Sequence, residues 1–128
     1  MIMGAHILLF SEKPELDRAF LRDVLNFPCV DVGHDWLIFA LPPTEAAVHP
    51  ADHETQHSGG GHKMLGAHFY LMCKDLKTYM KSLEAKKVTF GPITKERWGI
   101  KTAIRLPSGG EIGLYQPSHP TALNLNKK

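Results

Sequence analysis

The chain has 128 residues, 43% of them apolar and 22% charged, with a formal net charge of +2. That describes a single domain with a core of its own, carrying too little charge to favour nucleic acid or an anionic membrane as partner. No apolar run approaches the roughly 20 residues needed to cross a bilayer, and the N-terminus lacks a basic segment followed by an apolar stretch, the mark of a secretory signal.

Residues 5–10, Ala-His-Ile-Leu-Leu-Phe, read as a buried strand. Pro14 suits the first position of a helix, where a missing N–H costs nothing. From there Leu16, Phe20, Val24 and Leu25 recur at helical spacing, with Asp17, Arg18, Arg22 and Asp23 on the opposite side. Asn26-Phe27-Pro28 ends the helix. Short strands follow at 29–32, 36–41 and 44–49, separated by Gly33-His34-Asp35 and by Pro42-Pro43. Residues 50–65 are polar and glycine-rich and suit a solvated linker. Their three histidines, His53, His57 and His62, also make a metal-binding tract conceivable.

The order then repeats. Gly66-Ala67-His68 echoes Gly4-Ala5-His6 and opens another strand, through Cys73. Asp75 suits an N-cap, Leu76, Met80 and Leu83 make an apolar stripe, and Lys86-Lys87 close the helix. Strands are expected at 88–90, 99–106 and 111–116, the last two joined by a turn at Pro107-Ser108-Gly109-Gly110. Residues 117–128 form a tail that frays at its end. Cys29 and Cys73 sit in apolar contexts and read as buried thiols, consistent with a reducing cytoplasm.

An internal repeat of this kind sets the architecture. A β-α-β-β-β module used twice, each opened by a histidine, resembles the vicinal oxygen chelate superfamily of glyoxalases, extradiol dioxygenases and bleomycin-resistance proteins. The most specific stretches are Trp98-Gly99, Asp75-Leu76 and the run from Leu106 to Pro117. The resemblance implies an α+β fold: two tandem βαβββ modules forming a pseudo-symmetric curved mixed sheet around a cavity, with helices outside. Module one is expected at 4–50, a linker at 51–65, module two at 66–117 and the tail at 118–128.

It also implies a divalent metal (Fe, Mn, Ni or Zn) held by one residue from the first and one from the last strand of each module. His6 and His68 match the first-strand positions. Counting from the turn at 107–109, the last-strand glutamate of the superfamily falls on Gly113, which has no side chain to offer. Glu111 shares its face of the strand, about 7 Å away, and is the substitute ligand and a candidate proton carrier. In module one the same role falls on Glu45, or on His49 in a shifted register. Trp36, Lys101, Arg105 and Tyr115 are candidate cavity residues, the two cations suiting an anionic substrate.

Two functions follow from these residues. One is a metal-dependent lyase, isomerase or ring-cleaving dioxygenase acting on a small oxygen-chelating substrate, with Glu111 and Glu45 catalytic. The other is a metal-free protein of the bleomycin-resistance type that binds or sequesters a small molecule. A homodimer is expected in either case.

Overall fold

The computed structural model describes residues 1–50, 56–59 and 62–125. His53 and the chain end at 126–128 lie outside them, and the side chain of His57 is likewise not described. The elements in order are α1 (Pro14–Asp23), β1 (Cys29–Asp31), β2 (Leu37–Phe39), β3 (Gln56–Gly59), β4 (His62–Leu65), β5 (Tyr70–Met72), α2 (Leu76–Glu84), β6 (Thr94–Glu96), β7 (Gly99–Arg105) and β8 (Glu111–Pro117). The described residues form an α+β fold of two helices and three separate sheets.

Module two keeps the β-α-β-β-β order, but the strand expected at 66–73 shortens to β5, and 88–90 gives only a single bridge, Phe90 to Ile104, while β6 forms at Thr94–Glu96. Its four strands run β5-β8-β7-β6, with β5 parallel to β8 and the other pairs antiparallel. The helix between β5 and β6 supplies the crossover that a parallel pair needs. Alternation along the strands then sorts the two faces. Leu71, Thr102, Ile104, Ile112 and Leu114 are buried on the face that meets α2, whose Leu76, Met80 and Leu83 complete the core. Asp75 caps α2 by accepting a hydrogen bond from the Thr78 N–H at 3.1 Å. The Leu76 N–H donates to Gln116 Oε1 at 2.9 Å, tying the start of the helix to β8.

Helix α1 joins this core from module one. Leu25 is buried in it, and Phe20, Leu21 and Val24 pack against it. Asp17, which the spacing places on the solvent side, is buried instead. Its carboxylate accepts from Ser11 Oγ (2.6 Å), Ser108 N (3.0 Å) and Ser108 Oγ (2.6 Å), so those bonds replace the water it gives up. Leu16, placed on the apolar side, is exposed.

Module one departs from the sequence-based expectation in three places. Residues 4–10 and 44–49 form no strand, and 36–41 shortens to β2, which pairs with β1 in a two-stranded hairpin. A strand persists only where a neighbour accepts its backbone bonds, and neither segment has one among the described residues. Within the expected linker, β3 and β4 form an antiparallel hairpin with Gln56 opposite Leu65. Both cysteines are free and half-buried.

Candidate functional site

The face of module two turned away from α2 gathers the unusual side chains. Parallel pairing sets Tyr70 beside Gly113 and Met72 beside Tyr115. Antiparallel pairing sets Lys101, Ala103 and Arg105 opposite Tyr115, Gly113 and Glu111. Paired residues share a face, so aromatic and cationic side chains line the side that lacks a helix.

Its centre is Tyr115, which is buried. The Tyr70 ring meets it edge-on at 5.6 Å and 87°, and the Trp98 ring does so from the other side at 5.4 Å and 85°. Such T-shaped contacts suit the aromatic quadrupole. Trp98 keeps 40% of its surface exposed, and the Lys101 ammonium lies 5.2 Å from its ring centre. Lys101 is also 3.9 Å from Glu96. Gly99 follows Trp98 at a φ of +154°, and any Cβ there collides with the Gln116 carbonyl. That close approach brings the Trp98 end of β7 down onto β8.

Polar groups surround the Tyr115 hydroxyl. It bonds His119 Nε2 at 2.9 Å, and His119 Nδ1 bonds the Pro120 carbonyl at 2.7 Å. Glu45 is half-buried, and its Oε1 accepts from the Ala122 N–H at 2.8 Å. Burial raises the Tyr115 pKa, with further contributions from the Glu45 charge and from Tyr70. The phenol therefore keeps its proton through the neutral range.

Gly113 has a definite steric role. A Cβ built there collides with the Cδ1–Cε1 edge of the Tyr70 ring. The place that the resemblance assigns to a metal-ligating carboxylate is thus filled by a phenol ring from the neighbouring strand. The other sequence-expected ligands are dispersed. His6 and His49 are exposed, the latter with Nδ1 bonded to the Pro50 carbonyl at 2.7 Å. His68 is exposed with its ring 6.3 Å from that of Tyr70, and Glu111 is exposed at the start of β8. Among the described residues, no three His, Cys, Asp or Glu side chains stand together in a metal-holding group.

Of the expected cavity residues, Tyr115, Lys101 and Arg105 share the face, with Arg105 exposed at its far end. Trp36 lies in module one under Arg18, whose Cζ is 4.5 Å from the ring centre. Tyr70, Trp98 and His119 belong to the face but were not expected there. Tyr70 is foreshadowed by its spacing two residues from His68, and His119 by the His-Pro pair that also occurs at 49–50.

No protein-family model matches the chain, and neither does any curated protein. Solved structures do match. A lactoylglutathione lyase from Agrobacterium tumefaciens superposes with a TM-score of 0.59 at 16% identity, over 90% of this chain and 94% of that one. An antibiotic binding protein from Streptomyces sp. CB03234 superposes at 0.51 and 17% identity, over 92% of this chain and 100% of that one. The likeness is one of architecture, and by it the chain shares the fold of these two proteins, the fold that the sequence resemblance implies.

Proposed function

We propose that the chain is a metal-independent small-molecule-binding protein that holds a planar aromatic ligand on the Tyr70–Tyr115–Trp98 face and works as a homodimer. The observation that carries this reading is the Tyr70 ring packed over Gly113. It puts an aromatic ring where a metal centre needs a donor. Edge-on rings beside a half-exposed indole favour stacking, and Lys101 and Arg105 on the same face favour an acidic substituent. The fold likeness to an antibiotic binding protein is in keeping with this reading.

Surface area supports the homodimer. The chain exposes 10477 Å², whereas a folded monomer of 14.3 kDa exposes roughly 6,800 Å². Exposed apolar residues include Ile7, Leu8, Leu9 and Phe10 in the unpaired N-terminal segment and Val48 near the end of module one. Covering them with a second copy gives both segments the strand neighbours they lack.

A metal-dependent enzyme of the same fold is the second reading, with His6, His68, Glu45 (or His49) and Glu111 as ligands and Glu111 and Glu45 as proton carriers. It is favoured by the exposure of His6 and His68, which leaves both open to donors from a second copy. Elemental analysis separates the two. The binding reading expects protein purified without added metal to carry only traces of Mn, Fe, Ni and Zn, with no thermal shift when any is added. A stoichiometric metal that disappears in His68→Ala would replace it with the enzyme reading.

A further inference from the structure

We propose that Tyr115 and His119 form the polar anchor of the aromatic face, and that the anchor selects planar aromatic ligands presenting a hydrogen-bond donor, a phenol or an aromatic amine. This inference rests on the binding reading above and names the ligand class for the same face.

The reasoning is a count of protons. The Pro120 carbonyl can only accept, so His119 Nδ1, 2.7 Å away, carries a hydrogen. In the neutral imidazole that leaves Nε2 with a lone pair. Tyr115 Oη lies 2.9 Å from Nε2 and is the donor in that bond. A phenol has a single proton, and here it is committed to His119. What the Tyr115 oxygen has left to offer a ligand is lone pairs.

The surroundings reinforce that polarity. Burial and the Glu45 charge both raise the Tyr115 pKa, and a carboxylate repels a ligand acceptor while tolerating a donor. The same imidazole lock occurs in module one, where His49 Nδ1 bonds the Pro50 carbonyl at 2.7 Å. Four residues before His119 stands Tyr115, and four before His49 stands Glu45, itself an acceptor. Both modules thus carry a fixed imidazole four residues after an acceptor side chain.

Matched probes test this: a hydroxynaphthoate and its methyl ether, titrated calorimetrically into the full chain. The hydroxyl compound is expected to bind about tenfold tighter, the size of one hydrogen bond made to an otherwise unanswered group. Tyr115→Phe should bring the two affinities together. His119→Ala releases the Tyr115 proton and should shrink the ratio, whereas His119→Gln, whose amide oxygen accepts that proton, should restore it. A purely structural role for His119 would weaken both probes alike. Equal affinities in the wild-type protein overturn the donor preference and leave the binding reading standing. Failure of both probes to bind overturns the two together. The wild-type ratio stands even if a variant fails to fold.

Discussion

Gly113 carries no side chain, yet the site depends on its having none. Tyr70 crosses from the neighbouring strand into the space above it, and the pair makes one flat surface out of two strands. Gly113→Ala should destabilise the protein by about 1–3 kcal/mol, the usual penalty for overpacking a filled space. Tyr70→Ala in the same background should recover part of that loss, because the obstructing ring is gone. Urea denaturation of the two single variants and the double variant checks the coupling, and additive effects would contradict the contact. The absence of a glutamate at 113 is legible in the sequence; what replaces it is not. Which neighbour enters a vacated space depends on strand register, and register appears only when β5 and β8 are paired. Asp17 makes the same point from the other side. Its helical position reads as solvent-facing, and only the turn at Ser108, distant in sequence, makes burial affordable. Asp17→Ala should cost about 2–4 kcal/mol through two serines left without their acceptor.

The elements of module two were largely legible, because both of its signals are local. Alternation along β7 and β8 separates Lys101, Ala103 and Arg105 from Thr102 and Ile104, and Gly113 and Tyr115 from Ile112 and Leu114. Asp75 announces α2, and its cap has a pH signature. Bonding to the Thr78 N–H lowers the Asp75 pKa below the ordinary carboxylate value. A carboxylate with a lowered folded pKa stabilises the protein above its unfolded pKa, and that contribution fades as the pH falls through the folded value. The stability difference between wild type and Asp75→Ala should therefore be largest at neutral pH and shrink in acid. Denaturation curves at several pH values check it, and a difference that grew toward acid would have the wrong sign. Module one was less legible for a physical reason. Residues 4–10 and 44–49 have strand-forming composition, but a strand is a property of two segments, and among the described residues neither has a partner. The hairpin of β3 and β4 arises inside a stretch whose glycines and polar residues resemble a linker.

At the scale of the whole molecule, two facts bear on each other. The chain exposes far more surface than its mass requires, and its unpaired segments are among its most apolar. Light scattering should report a homodimer at micromolar concentration, and charged residues at Leu8 and Phe10 should yield monomer or aggregate. A wild-type monomer would contradict the assembly. The fold itself was legible from the repeated Gly-Ala-His and the Trp-Gly and turn motifs, whereas the chemistry was not, since one fold serves metal enzymes and binding proteins alike. The most direct test of the central claim is a calorimetric titration of hydroxynaphthoate into protein before and after exhaustive chelation. Metal-independent binding on the Tyr70–Tyr115–Trp98 face predicts the same affinity in both samples. Loss of binding on chelation, restored by Mn, Fe, Ni or Zn, would contradict it.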